Sequence, residues 1–288
     1  MSTLTKKNLL LIGHPQQLPA ETWAAFCSRY NIIHYNFPTH EDFYKSLANG
    51  ICHNIDGILH ISFNTPADNE PVRQGWTARA LPHFPPTLKV IVKFGHGYES
   101  EDIEGLKAKN ISFYNSTGGS YSTALIGLYL IISVFRRLSH YERMARDGVV
   151  VAAMRESAQS AEDPCGKRVG IIGMGAIGQE LASQLVAIGM RVHCLGRKSL
   201  LLSPELNKVV TTHDSLESIC AEVDCIVLAC SYSPSSHHLL NKDVFAKMKR
   251  GMRLVNIARG KCIDENALLA ALADGTVEGA GLDVFENE

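Results

Sequence analysis

The sequence predicts an α/β protein made of two units, each built on a parallel sheet. Three observations carry that expectation. Apolar runs of strand length alternate with helix-compatible stretches from one end of the chain to the other. A glycine cluster, 173-GMGAIG-178, stands between one such strand and a helix-forming run. A long apolar helix, expected at about 121–146, separates the two stretches of alternation. The units are therefore placed at 1–120 and 121–288.

Taken in order, the first unit offers strands at 8-NLLLIG-13, 31-NIIHYNF-37, 55-IDGILHI-61, 89-KVIVKFG-95 and 111-ISFYN-115. Polar helix-compatible stretches such as 40-HEDFYKSLAN-49 lie between them. The long helix ends in the charged run 136-RRLSHYERMARDG-148 and closes on Gly148, a residue type favoured just past a helix end. Residues 149–167 lack clean periodicity, contain Asp163-Pro164, and are expected to be a connecting loop. The second unit then offers strand 168-RVGIIG-173, a helix from about 176, and strands at 191–196, 224–229, 252–257 and 277–285.

Composition narrows the function classes. With 45% hydrophobic and 20% charged residues, the 288-residue chain can bury an ordinary core. A net charge of −1 gives no electrostatic footprint for nucleic acid or for an anionic membrane surface. The longest apolar segment, 124-ALIGLYLIISVF-135, is too short to span a bilayer, so no membrane partner is expected. None of the eight cysteines forms a C-x-x-C pair, and several sit inside apolar runs such as 225-CIVLAC-230. They are expected as small buried hydrophobes in a reducing, cytoplasmic compartment, with no metal site.

The glycine cluster carries the most chemistry. Gly173, Gly175 and Gly178 form G-x-G-x-x-G directly after an apolar strand. In that context the first glycine permits a tight turn, the second admits a pyrophosphate against the backbone of Ala176 and Ile177, and the third lets helix and strand pack closely. The segment is thus expected to bind a nicotinamide dinucleotide on a Rossmann domain. The strand that follows should end in an acid that holds the adenosine ribose. The sequence there reads 195-LGRKS-199, with Gly196 in place of the acid and Arg197 and Lys198 after it. Loss of the carboxylate and gain of two cations favour a 2′-phosphate. NADP(H) is therefore expected, with NAD(H) as the alternative.

Four segments together resemble the D-isomer-specific 2-hydroxyacid dehydrogenases, in particular the glyoxylate/hydroxypyruvate reductase-like branch common in fungi. They are 95-GHGYESEDI-103, the glycine loop with 163-DPCGK-167 before it, 254-LVNIARGKCIDENALLAAL-272 and 279-GAGLDVFENE-288. The resemblance implies a Rossmann domain beside a smaller flavodoxin-like α/β substrate domain, with the active site in the cleft, and a homodimer through the long helix region. It implies reduction of a 2-oxo acid to the D-2-hydroxy acid. Arg259 would grip the substrate carboxylate and carbonyl, and the loop amides around His96 and Gly97 would bind the carboxylate. Thr123, Ser231, Ile257 and Asp283 would line the cofactor groove, and Glu288 would pair with a catalytic histidine.

Several positions depart from that pattern. His96 replaces a small residue, Leu125 an acid, Ser231 a proline, and the tryptophan expected after Gly148 is missing. The family's general acid is a histidine some tens of residues beyond the D-V-F-x-x-E segment. The sequence runs to Glu288, so a chain without that histidine, the last Rossmann strand and the C-terminal return to the substrate domain is expected. Losing a general acid costs about 10²–10⁴-fold in rate. Two alternatives to the ordinary reductase therefore stand beside it: a dinucleotide-binding relative with little turnover, and a reductase adapted to a bulkier substrate. His96 is expected to shape the substrate site, with proton supply as its other role; His237 and His238 are expected at the surface or groove.

Overall fold

The structure is a computed structural model that describes residues 6–13, 19–61, 75–116, 118–196 and 201–287. The chain divides into two compact units, Met1–Gly118 and Gly119–Glu288.

The first unit contains β1 (Lys7–Ile12), α1 (Ala20–Arg29), β2 (Tyr30–His34), α2 (His40–Asn49), β3 (Gly57–His60), β4 (Val90–Lys93), α3 (Ile103–Ala108) and β5 (Ser112–Asn115). Its strands form one parallel sheet in the order β2-β1-β3-β4-β5, the doubly wound order of flavodoxin-like folds. All five strands fall on the apolar runs expected from the sequence. Leu10, Ile12, Ile58 and Ile91 join Phe43 and Trp76 in its core. Two helices begin on side-chain caps: Thr39 accepts from the Asp42 amide, and Asp102 from the Gly105 amide.

The second unit opens with α4 (Ser120–Arg136), α5 (Leu138–Arg146) and α6 (Val150–Ser160). The single long helix expected at 121–146 is broken. Arg137 adopts a left-handed conformation (φ 52°, ψ 37°), and the two halves meet at 69°. The broken turn is held from outside, because the Arg137 guanidinium donates to Ser160 Oγ at 3.1 Å. The loop expected over 149–167 is also corrected, since α6 occupies most of it. The helix ends before Asp163-Pro164 and packs on α5, with Tyr141 and Ser160 hydroxyls 2.7 Å apart and His140 Nε2 3.0 Å from Glu156. Among the described residues no single helix is long and apolar enough to cross a membrane.

The sheet of this unit contains β6 (Arg168–Ile172), β7 (Arg191–Leu195), β8 (Thr211–His213), β9 (Cys225–Leu228), β10 (Met252–Asn256) and β11 (Val277–Leu282). Helices α7 (Ala176–Ala187), α8 (Leu216–Glu222), α9 (Lys242–Phe245) and α10 (Glu265–Asp274) connect them. Every pairing is parallel, in the order β11-β10-β9-β6-β7-β8. This is the Rossmann order, in which the chain winds outward from β6 on one side and then on the other. Both faces are covered, so strand residues alternate between two cores rather than between core and solvent. On β9, Cys225 and Val227 enter the core with α4 and α7, and Ile226 and Leu228 enter the other. That double burial explains the unbroken apolar lettering and the buried, unpaired Cys194 and Cys225.

Among the described residues of this unit, Arg253 is a charge held inside. The buried Arg253 donates to Glu162 at 2.8 Å, lies 2.9 Å from Glu278, and stacks over Phe135 at 4.5 Å. Glu162 also pairs with Lys167. Its carboxyl is thereby held below the usual range, chiefly by the Lys167 hydrogen bond. The segment entering β6 is thus tied to β10 and β11.

Candidate active site

Because all strands of the second unit are parallel, every loop that leaves a strand emerges at the same edge of the sheet. The strand order reverses between β6 and β9, and that is where doubly wound folds bind ligands. Backbone hydrogen bonds stitch the loops together: Ala229 N to Ile172 O (2.9 Å), Ile257 N to Leu228 O (3.1 Å) and Asp283 N to Asn256 O (3.0 Å).

The three glycines of the first loop do three different jobs. Gly173 has φ 110°, and a Cβ there would stand 2.5 Å from the Cys230 amide nitrogen. A Cβ on Gly178 would fall inside the Gly173 carbonyl oxygen, so α7 lies directly against the turn. Around Gly175 a Cβ would meet nothing within 4 Å. Gly175 is also the N-cap of α7, and no side chain caps that helix. The first intrahelical acceptance runs from Gln179 N to Gly175 O, so the amides of Ala176, Ile177 and Gly178 open on that cleared space without an intrahelical partner. Closed contacts on both sides and an open middle fit a dinucleotide diphosphate at a helix N-terminus.

Gly196 follows β7, and its amide donates to His213 O at 2.7 Å. A Cβ there would lie 2.5 Å from Thr212 Cγ2. An acidic side chain at the position where a ribose-binding carboxylate was sought would crowd the methyl of the exposed Thr212. Arg197, Lys198 and Glu288 lie outside the described residues.

The β10 loop is built around a side chain that the sequence analysis quoted only as part of a motif. Asn256 is fully buried; its Nδ2 donates to Arg259 O at 2.9 Å, and its Oδ1 accepts from Ala258 N at 3.0 Å. It thereby fixes the turn that carries Arg259. The Arg259 guanidinium is half-buried and donates through Nη1 to Ala258 O at 2.6 Å. Gly260 has no room for a side chain, because the backbone of Phe285 and Glu286 crosses its α-carbon. That approach brings Asp283, exposed just after β11, to the same edge as Arg259. Glu286 meets His238 Nε2 at 2.5 Å, and the His238 hydrogen bond holds its carboxyl below the usual range. The surface expectation for His238 is thus refined to a partnered position. Beside the loop, a hydrogen bond with Cys230 and another with Ser236 bring the Cys262 thiol down to about 7.

Ser231 is exposed in the loop after β9, its carbonyl held by Ser236 Oγ at 3.1 Å. Ile257 is buried against α4, where a Cβ on Gly127 would stand 3.0 Å from its Cδ1. Thr123 sits half-buried in the first turn of the same helix.

His96 and Gly97 belong to the first unit, in the loop after β4. The loop is closed by a buried pair, Lys93 Nζ to Glu101 Oε1 at 2.5 Å, and Glu101 also accepts from the Trp76 amide at 2.6 Å. Asn115 Nδ2 holds the His96 carbonyl at 2.8 Å. Lys93, Glu101 and Asn115 were not singled out from the sequence. A buried charge inside a strand run, with an acid eight residues on, is the signal that was available.

Residues 128–288 match the family model described as D-isomer specific 2-hydroxyacid dehydrogenase, NAD binding domain. The chain belongs to the D-isomer-specific 2-hydroxyacid dehydrogenase family. Members of this family are oxidoreductases that use a nicotinamide cofactor, and the second unit is their NAD-binding domain. The chain is 33% identical to 4-methyl-2-oxopentanoate reductase A of Aspergillus oryzae over 97% of its own length and 81% of that protein. It is 33% identical to a glyoxylate/hydroxypyruvate reductase of Arabidopsis thaliana over 74% of its length and 64% of that protein. Among solved structures it resembles the holo form of D-mandelate dehydrogenase from Rhodotorula graminis, with TM-score 0.90, 33% identity, and coverage of 98% of this chain and 82% of that one. The family, the fungal kinship and the two-sheet α/β fold agree with the sequence analysis.

Proposed function

We propose that this 2-hydroxyacid dehydrogenase reduces a 2-oxo acid to the D-2-hydroxy acid with NADP(H). The observation that carries the proposal is the meeting, at one sheet edge, of a diphosphate-fitting glycine turn and the Asn256-braced loop of Arg259. When bound, the reduced nicotinamide supplies the hydride. The chain's own part is positioning and charge. Amides at the start of α7 hold the diphosphate, and Thr123, Ser231, Ile257 and Asp283 line the remainder of the dinucleotide site. Arg259 offers a planar, permanently charged fork to the substrate carboxylate and to the oxygen that gains charge. His96 and the Gly97 amide receive the carboxylate on the first unit. Glu288 belongs to the acid–base machinery by its place in the D-V-F-x-x-E motif.

The test is consumption of NADPH, followed at about 340 nm, with glyoxylate, hydroxypyruvate, 4-methyl-2-oxopentanoate and the 2-oxo acid of mandelate. A preference for the two larger acids supports adaptation to a bulkier substrate, which the names of two similar proteins favour. NADPH binding without turnover on any of them leaves the non-catalytic alternative in place of the reductase.

The preference for NADP(H) over NAD(H) rests on the crowded space at Gly196 and on the two cations that follow it in sequence. Replacing Arg197 and Lys198 together by alanine is expected to weaken NADPH binding about 10- to 100-fold, the loss of one or two charge-assisted contacts, and to leave NADH unchanged. Equal losses for both cofactors would contradict the assignment.

We also propose a homodimer in a reducing, cytoplasmic setting. Helix α4 exposes Tyr121, Leu125, Ile126 and Tyr129 along one face, and α6 exposes Val150, Val151 and Met154. Val151 and Met154 are 64% and 67% exposed, unusual for a patch of this size without a partner. Light scattering is expected to give twice the 31.6 kDa chain mass, and Tyr129→Asp to shift it toward the monomer. A monomeric wild-type protein would refute the dimer.

A further inference from the structure

On the side of the sheet that carries β7 and β8, three side chains from three elements of the second unit converge. His193 lies on β7, His213 on β8, and Glu222 ends α8. His193 Nδ1 is 2.8 Å from His213 Nε2 and 4.0 Å from Glu222 Oε2, and the three donor atoms lie within 4.8 Å of one another. Both imidazoles are more than nine-tenths buried. Nothing in the proposed reaction uses them.

Ser218 Oγ lies 2.8 Å from His213 Nδ1, so a proton on Nδ1 leaves the Nε2 lone pair facing His193. Two ring nitrogens at 2.8 Å share one proton, because a second on the same line would set N–H against N–H. Two imidazoles, a hydroxyl behind one of them, and a carboxylate at the rim make the donor set of a borderline metal ion. Of the cations nearby, Arg168 lies 3.7 Å and Lys249 3.1 Å from Asp224, and Arg191 lines the same cleft. A cleft lined by His193, Glu222, Thr211 and Val209 gives access from solvent.

We propose that His193, His213 and Glu222 bind a divalent transition-metal ion of the zinc class, with the fourth position open to the cleft. Tetrahedral coordination at ordinary zinc–nitrogen lengths needs the two ring nitrogens about 3.3 Å apart, so the rings part by roughly half an ångström. The ion would replace the shared proton and link β7, the three-residue edge strand β8 and α8. Cysteine spacing gave no zinc motif, and histidines twenty residues apart on neighbouring strands have no motif to read.

The experiment titrates the full chain with Zn²⁺ by thermal shift and with Co²⁺ by visible absorption. At a metal concentration about a hundredfold above Kd, a Tm rise of roughly 5 °C or more is expected. Co²⁺ is expected to give d–d bands without the near-ultraviolet charge-transfer band of a thiolate ligand. Glu222→Gln, at an exposed helix end, and His213→Gln should each reduce affinity at least about tenfold. Absence of both signals in the wild type leaves a hydrogen-bonded histidine pair only and overturns the proposal. Undiminished binding in Glu222→Gln, or a thiolate band, overturns it as well, even should His213→Gln fail to fold.

Discussion

Replacing Arg259 by alanine is expected to lower kcat/KM for a 2-oxo acid by about 10²–10³-fold, the usual cost of removing one preorganised donor from a developing oxyanion. NADPH affinity should be unchanged, because the glycine turn is built from other residues. Arg259→Lys keeps the charge but loses the planar fork, and should recover only part of the activity. Asn256→Ala tests how the loop positions the arginine. Both bonds of the buried amide go to this turn, at 2.9 Å and 3.0 Å. Its loss should lower kcat more than it raises KM. A fall in NADPH affinity matching the fall in kcat/KM for Arg259→Ala would show that the arginine serves the cofactor instead.

The second large effect is expected at Gly178. Its missing Cβ is what lets α7 touch the Gly173 carbonyl. Valine there must push helix from strand, at a cost of about 3 kcal/mol, the upper part of the range for overpacking. In a unit of this size that corresponds to a Tm lower by roughly 6–12 °C. Gly175→Ala is the informative contrast. Its Cβ would meet nothing within 4 Å, so apo stability should hold while NADPH affinity falls about tenfold or more, roughly 1.4 kcal/mol. Circular dichroism melts and cofactor titration of the two variants separate the effects. A destabilised Gly175→Ala that still binds NADPH normally would contradict the roles assigned to the turn.

The elements legible in the sequence were those whose pattern matches their burial. The strands of the second sheet are apolar runs because both of their faces are covered, as Cys225–Leu228 illustrates by feeding two cores. The glycine turn was legible because steric exclusion by the Gly173 and Gly178 contacts admits no other residue. What escaped was set by tertiary contact. The break at Arg137 needs a left-handed residue that no glycine announces, and Ser160 on a later helix holds it. Helix α6 was hidden because its exposed apolar face blurs the period, and β8 is three residues long, too short to show one. The cluster His193–His213–Glu222 joins residues whose proximity depends on strand order, and Lys93–Glu101 depends on the turn of the loop after β4. Asn256 was visible as a letter of a motif, but its two bonds to the Arg259 turn are geometry.

Titration calorimetry of the wild-type chain with NADPH and NADH tests the central claim most directly. The open space over Gly175 and the crowded one at Gly196 predict saturable binding of one dinucleotide per chain, tighter for NADPH than for NADH. Absence of binding heat and of affinity for either dinucleotide would contradict it.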